Sequence, residues 1–184
     1  QLKGDYTSLL GVWKIKVNGV DISTGEDNAK FTMTEDNLTY VDSDRVKSQK
    51  IAPGSQVYFD IVIDPTNTDV SILYTLNMKF DDVTSAKMKL LKVENYFKKD
   101  GETEQITNTD VKTELDLHQH QAIIPIAKIN EKYINYLRVY FEWANVEANN
   151  ETDSELGQTE DAKISIPLEI NFKQYTGEVI SNGT

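Results

Sequence analysis

Apolar and polar residues alternate along much of this chain, which is the two-residue period of half-buried β-strands. The alternation predicts a first strand over residues 13–17. The Asn-Gly pair at 18–19 then predicts a tight hairpin turn into residues 20–22, because both turn residues tolerate positive φ. Further strands are predicted over residues 31–33, 38–41, 57–64, 70–78, 133–146 and 162–175.

The strands over 57–64 and 70–78 have the most regular alternation. Val57, Phe59, Ile61 and Ile63 fall on one face of the earlier strand. The short polar segment between the two strands contains Pro65, which favours a turn. This arrangement predicts an antiparallel hairpin at the centre of the core.

The middle of the chain has weaker patterns. Residues 88–97 read as a strand, whereas residues 110–120 read as a short helix with Asp110 as its N-cap. Pro125 predicts an edge or a connection over residues 123–126, because proline cannot donate to a sheet ladder. Pro167 marks its strand as an edge or a bulge for the same reason.

Many short strands with Gly, Pro and Asn turns predict an all-β fold, an antiparallel β-sandwich with at most one or two short helices. At 184 residues the chain suits a single core. The predicted organisation is an N-terminal segment over residues 1–11 followed by one sandwich domain over residues 12–184.

Charge and composition exclude several classes of function. The net charge of -11 argues against nucleic acid as a partner, since phosphate binding needs a basic surface. No apolar run reaches membrane-spanning length, so no membrane insertion is expected. The absence of cysteine excludes disulfides and thiolate metal sites.

The start at Gln1, without an initiator Met, fits a chain trimmed by a signal peptidase or an expressed fragment. We expect a secreted, extracellular protein.

The most acidic stretch, residues 147–161, raises the question of calcium. Asp153 and Glu155 are the candidate oxygen ligands, and Gly157 follows them. The ligand spacing of a calcium loop, with its closing bidentate Glu, is missing. A solvated acidic loop is the favoured interpretation. No cofactor is therefore expected, and calcium remains open.

The chain has two histidines, His118 and His120, in a His-Gln-His arrangement that suits one face of a strand. Imidazole pairs can bind zinc or copper, so a metal-dependent hydrolase is a third reading. No third ligand lies nearby at suitable spacing, and we expect both histidines at the surface. No motif for nucleophilic or metal-dependent catalysis occurs, so the chain is predicted not to be an enzyme.

Tyr133, Tyr136 and Tyr140 lie in or beside the strand predicted over 133–146. Tyrosines exposed on a flat sheet can stack on sugars. Alternatively, they form the second face of a strand buried between layers or at a subunit contact.

Several short motifs together resemble the TasA/camelysin-like exported proteins of biofilm-matrix fibres. They are WKIKVNG at 13–19, IAPGS at 51–55 leading into FDIVID at 59–64, DVSI at 69–72 with Tyr74, and FEW at 141–143 before ETD at 151–153 and Gly157. The resemblance spans most of the chain. It implies a jelly-roll-like β-sandwich, removal of a signal peptide and a role in extracellular fibres. The metalloprotease activity ascribed to some family members is not carried over, because no zinc-binding motif is present.

In fibre-forming relatives an N-terminal segment of one subunit completes the sheet of the next. The even positions here include Leu2, Tyr6 and Leu10, whereas the next strand uses odd positions from Trp13. Gly11 separates the two phases and is a candidate hinge. Leu2, Tyr6 and Leu10 are therefore candidate donor-strand residues, and residues 1–10 forming an intramolecular first strand is the alternative.

Two functions follow from these observations. The first is a structural subunit of an extracellular filament whose partners are copies of itself, joined head to tail. The second is a secreted binding module for polysaccharide or a cell-surface ligand on the same sandwich. Fold class alone does not decide between them.

Overall fold

The computed structural model describes residues 15–21, 28–34, 37–41, 54, 56–79, 88–143 and 165–180. These residues form short and long β-strands and one short helix. In chain order they are β1 Lys16–Val17, β2 Val20–Asp21, β3 Asn28–Thr34, β4 Thr39–Tyr40, β5 Gln56–Asp64, β6 Ile72–Met78, β7 Met88–Lys99, β8 Ile106–Thr107, β9 Val111–Glu114, β10 Gln119–Ile124, α1 Ile126–Asn130, β11 Tyr133–Trp143 and β12 Ser165–Gln174.

The strands form two antiparallel sheets packed as a sandwich. The first sheet has the order β2-β1-β5-β11-β7-β8, and β4 also pairs with β5. The second sheet has the order β3-β12-β6-β10-β9. The prediction of an all-β, jelly-roll-like sandwich with little helix is confirmed.

The core lies between the sheets and is built from the alternating apolar positions of the long strands. Val57, Phe59, Ile61 and Ile63 of β5 are buried, as the alternation predicts. Phe59 stacks on Phe141 of β11, with ring centroids 5.5 Å apart. On the second sheet, β6 and β12 contribute buried residues including Ile72, Leu76, Leu168 and Ile170.

The predicted Asn-Gly hairpin is confirmed between β1 and β2. Asn18 has φ 49° and Gly19 has φ 82°, so both turn residues adopt the left-handed conformation that this turn requires. Asn18 also ties the hairpin to β5: its Oδ1 accepts a hydrogen bond from the Val62 N–H at 2.8 Å. Its own N–H donates to the Val62 carbonyl at 2.8 Å.

The predicted hairpin between residues 57–64 and 70–78 is wrong. Both strands exist, but β5 belongs to the first sheet and β6 to the second. The Asp64 side chain accepts a hydrogen bond from the Thr66 N–H at 2.9 Å, which supports the turn where the chain changes sheet. Both strands do alternate, because each buries its apolar face in the core between the two sheets. The alternation does not show that the two strands pair with each other.

The predicted helix over residues 110–120 is also wrong. This segment contains β9, a turn over residues 115–118 and the start of β10. β9 pairs with β10, and Asn108 Oδ1 accepts the Asp110 N–H at 3.0 Å. Tertiary pairing therefore overrides the local helical spacing. Leu115 and Leu117, which the helix would have buried, are exposed.

The predicted strand over 88–97 is confirmed as β7, but its phase changes along its length. Met88 and Leu90 are buried at even positions, whereas Asn95 and Phe97 are buried at odd positions. The pairing with β11 shifts between Tyr140 and Phe141, which is a β-bulge or similar irregularity. One extra residue in β7 there explains the change of phase.

Pro125 and Pro167 each lie at a boundary of strand pairing. Pro125 ends β10 and is the N-cap of α1, so the predicted connection is confirmed. Pro167 lies inside β12, which is an internal strand and not an edge. However, β6 pairs only with residues 168–174 of β12, so Pro167 precedes that ladder. Within the described residues, no helix is long and apolar enough to cross a membrane.

Candidate binding face

The outer surface of the first sheet carries tyrosines in two cross-strand rows. On the central strand β11, Tyr140 is opposite Tyr58 of β5. Four residues earlier, Tyr136 is opposite Tyr96 of β7. All four side chains are partly exposed. Consecutive outward positions of a strand are about 7 Å apart, so one further row separates the two tyrosine rows.

Each tyrosine row is a close ring contact. The Tyr96 and Tyr136 rings stack with centroids 5.3 Å apart and an interplanar angle of 9°. The Tyr58 and Tyr140 rings are tilted at 49° with centroids 5.5 Å apart. Such contacts hold the rings in fixed positions, since paired aromatics stabilise one another beyond the burial of their area.

The row between the tyrosines carries a charged pair. Arg138 of β11 donates to both carboxylate oxygens of Asp60, from Nε at 2.7 Å and from Nη2 at 3.0 Å. The guanidinium also lies 4.1 Å from the centroid of the Tyr58 ring. We call Tyr58, Tyr96, Tyr136, Tyr140, Arg138 and Asp60 the tyrosine face. It offers flat apolar rings, hydroxyl groups and a pre-oriented ion pair on one sheet surface.

Three tyrosines of this face, Tyr96, Tyr136 and Tyr140, remain protonated at neutral pH. Burial raises the pKa of Tyr96 and of Tyr136 above its ordinary value. Burial, followed by a hydrogen bond with Glu94, also raises the pKa of Tyr140. Neutral phenols donate and accept hydrogen bonds, so the face can pair with the hydroxyl groups of a ligand.

A buried polar network crosses the sandwich beneath the tyrosine face. The Tyr74 hydroxyl of β6 donates to Asn135 Oδ1 of β11 at 2.5 Å. It accepts from Asn95 Nδ2 of β7 at 2.9 Å. Asn135 Nδ2 donates to Asn95 Oδ1 at 2.7 Å, and Asn108 Nδ2 donates to the same oxygen at 3.3 Å. The network links the two sheets with satisfied polar groups, which favours one arrangement of the core.

His120 belongs to this network and is fully buried, so the prediction that it lies at the surface is wrong. Its Nε2 accepts from Asn95 Nδ2 at 3.0 Å, and its Nδ1 lies 2.7 Å from Thr113 Oγ1. Burial lowers the pKa of His120 to about 4, so the ring is neutral. His118 lies in the turn before β10, with φ 51°, and not beside His120 on one strand face.

The histidines therefore do not form a metal site together. Both ring nitrogens of His120 are engaged by protein groups. In the part of the chain that the structure describes, no group of three or more His, Asp or Glu side chains could hold a metal ion.

The other predicted site residues lie outside the described residues. These are the candidate donor-strand residues Leu2, Tyr6 and Leu10, the candidate hinge Gly11 and the calcium candidates Asp153 and Glu155. Their roles stay predictions.

The sequence indicates only part of the tyrosine face. Tyr133, Tyr136 and Tyr140 are the predicted candidates, with exposure and burial both left open. Tyr136 and Tyr140 lie on the face, whereas Tyr133 points to the other side and packs against the core. Tyr58 and Tyr96 join the face only through the pairing of β5 and β7 with β11. Tyr58 could have been placed on this face from the sequence, because it alternates with the apolar Val57 and Phe59 along β5.

No protein-family model and no curated protein matches this chain. Among solved structures, it is similar to the collagen binding domain of Erysipelothrix rhusiopathiae surface protein RspB, with TM-score 0.39 and 8% identity. That match covers 89% of this chain and 60% of the other, so the chain spans less than two thirds of that structure.

Two further similar structures are of carbohydrate-binding proteins. TmCBM61, solved in complex with β-1,4-galactotriose, matches with TM-score 0.29 and 8% identity, over 84% of this chain and 92% of the other. The CBM22-2 xylan-binding domain of Paenibacillus barcinonensis Xyn10C matches with TM-score 0.28 and 11% identity, over 79% and 99%. These likenesses concern the fold and do not identify a ligand for this chain.

Proposed function

We propose that this protein is an extracellular binding module for polysaccharide and that the tyrosine face is its binding surface. The observation that supports this function is the double row of tyrosines around the Arg138–Asp60 pair. A sugar ring has an apolar C–H face and a rim of hydroxyl groups. Tyrosine rings can stack on the first, and the phenols, the guanidinium and the carboxylate can pair with the second. Binding, not catalysis, is the proposed activity.

Substitution of the central tyrosines tests this function. The variant Tyr136→Ala/Tyr140→Ala removes one ring from each row, and we expect it to weaken polysaccharide binding about tenfold or more. Affinity electrophoresis against a panel of neutral and acidic polysaccharides measures the loss. Tyr175→Ala, which lies after β12 and outside the face, is the matched control. Far-UV circular dichroism establishes that both variants are folded. If no polysaccharide in the panel retards the wild-type chain, the proposal is wrong.

The filament subunit is the second candidate function, and a sheet edge favours it. In the part of the chain that the structure describes, no strand pairs with residues 88–94 of β7 on the side away from β11. An unpaired strand edge presents main-chain donors and acceptors that a strand from another copy can use. The N-terminal segment with Leu2, Tyr6 and Leu10 is the proposed incoming strand.

Deletion of residues 1–10 tests the filament proposal. If the full chain forms filaments by donor-strand exchange, negative-stain microscopy of the deleted protein will show only monomers. A full-length Gly11→Pro variant, altered at the candidate hinge alone, serves as a second probe. Filaments of undiminished length from the deleted protein would rule out the donor-strand role.

A further inference from the structure

Three lysines converge where β7 ends beside α1. Lys98 and Lys99 are the last residues of β7, opposite Ile134 and Tyr133 of β11. Lys128 lies in α1. We call Lys98, Lys99 and Lys128 the lysine cluster.

Two of these lysines share one aromatic ring. Lys99 Nζ lies 4.9 Å from the centroid of the Tyr133 ring, and Lys128 Nζ lies 4.7 Å from the same centroid. Lys128 Nζ is also 5.7 Å from the centroid of Phe97. Cation–π contacts of this kind hold ammonium groups against a ring that is itself fixed by the core.

The third lysine connects the cluster to the tyrosine face. Lys98 Nζ lies 5.2 Å from the centroid of Tyr136, the ring that stacks on Tyr96. The cluster therefore continues the row of Tyr96 and Tyr136 around the end of the sheet. Lys98 adjoins the tyrosine row, whereas Lys99 and Lys128 lie against Tyr133 at the end of the sheet. A chain-like ligand on the tyrosines would reach those two ammonium groups by turning around that end of the sheet.

The charges of the cluster are not neutralised by salt bridges within the described residues. Lys30 and Lys79 on the second sheet pair with Glu169, whereas no carboxylate of the described residues lies within salt-bridge distance of Lys98, Lys99 or Lys128. Asp100 and Glu131 follow nearby in the chain and are exposed. Burial, followed by the charges of Asp100 and Asp64, raises the pKa of Tyr136, the ring that Lys98 contacts. The cluster thus brings together three ammonium groups that have no ion-pair partner among the described residues, in a protein of net charge -11.

We infer that the ligand of the tyrosine face is an anionic polysaccharide whose carboxylate groups bind the lysine cluster. This inference rests on the proposed function and adds the chemical class of the ligand. The sugar rings stack on the tyrosines, and the carboxylates pair with the ammonium groups of Lys98, Lys99 and Lys128. Nucleic acid is the other polyanion that ammonium groups bind, and the experiment includes it as a competing outcome.

The experiment compares two forms of one polymer, polygalacturonate and its fully methyl-esterified, uncharged form. Isothermal titration calorimetry is done on the full chain and on Lys98→Gln/Lys99→Gln/Lys128→Gln. We expect the wild-type chain to prefer polygalacturonate, and the triple variant to lose about tenfold in affinity for it, since exposed ion pairs each contribute modestly. Affinity for the esterified polymer should not change. The control Lys30→Gln/Lys79→Gln/Lys173→Gln removes the same charge from the second sheet.

The outcomes separate this inference from the proposed function. Equal affinity for the two polymers, unaltered in the triple variant, overturns the lysine cluster as a carboxylate site but leaves polysaccharide binding intact. An equal loss in the control variant also overturns it, because overall charge would then be responsible. Binding of polyphosphate or a single-stranded oligonucleotide as tight as that of polygalacturonate overturns it as well. Failure to bind any polysaccharide overturns the proposed function with it.

Discussion

At the scale of single residues, the hydrogen bonds of His120 fix which nitrogen carries its proton. Asn95 Nδ2 can only donate, so His120 Nε2 must accept, and Nδ1–H is left to donate to Thr113. A second proton on Nε2 would face the Asn95 amide, another donor. Protonation would therefore break the network that joins the two sheets.

This arrangement makes stability depend on pH. The pKa of His120 is about 4 in the folded chain and near 6.5 when unfolded, so the unfolded state binds a proton first as the pH falls. His120 therefore contributes fully to the free energy of unfolding above pH 6.5. This contribution decreases by roughly 3 kcal/mol as the pH falls to 4.

Urea denaturation of the wild-type chain and of His120→Gln at pH 7 and at pH 4 measures this contribution. The variant retains an amide but has no titrating ring, so its stability should fall less between the two pH values. Carboxyl groups titrate alike in both proteins and cancel in the comparison. Parallel pH profiles would contradict the assignment.

The sequence could have revealed that His120 is buried. His120, Ala122 and Ile124 share one parity, and all three are buried in β10. The predicted helix over 110–120 ends at His120. It therefore separates His120 from Ala122 and Ile124, which share its parity. The partners Asn95, Tyr74 and Asn135 lie on three other strands, and no local spacing indicates that they meet.

At the scale of elements, the β1–β2 turn depends on the conformation of two residues. Gly19 has φ 82°, and a Cβ added there would have no atom within 4 Å. Gly19→Ala should therefore destabilise the chain by about 1 kcal/mol through backbone strain alone. Gly19→Asn should cost less, because Asn tolerates the left-handed region.

Thermal or urea denaturation of both variants measures these differences. The two substitutions are matched in position and differ in their tolerance of positive φ. Equal destabilisation by Ala and Asn would contradict backbone strain as the cause.

The long strands β5, β6, β7, β11 and β12 are readable from the sequence, whereas the short strands β8 and β9 and the strand partners are not. The alternation in β5, β11 and β12 gave their faces correctly. A period of two indicates that one face of a strand is buried against the core. Two successive strands show the same alternation whether they pair within one sheet or lie in the two sheets that face each other. That ambiguity explains why β5 and β6 were predicted to pair. For the tyrosine face, it concealed the contribution of Tyr96.

At the scale of the whole molecule, the two sheets are joined by the buried network as well as by apolar packing. Tyr74 belongs to the second sheet, whereas Asn95 and Asn135 belong to the first. Separating the sheets would leave these polar groups without partners, at a cost of about 1–3 kcal/mol each. One sheet should therefore not survive the loss of the other.

We expect the chain to unfold in a single cooperative transition. Far-UV circular dichroism, which follows the strands, and near-UV dichroism, which follows the packed tyrosines, should give coincident urea curves. Tyr74→Phe should lower the midpoint, and Tyr58→Phe on the outer face is its control. Separate midpoints for the two probes would indicate that the sheets unfold independently.

The position of β12 has a consequence for how the chain is made. In the part that the structure describes, β3 pairs only with β12, which lies between it and β6. β3, formed by residues 28–34, therefore cannot pair until β12, formed by residues 165–174, has been synthesised. A nascent chain leaving the ribosome cannot complete the second sheet before β12 emerges. The second sheet is therefore completed only after β12 has been synthesised.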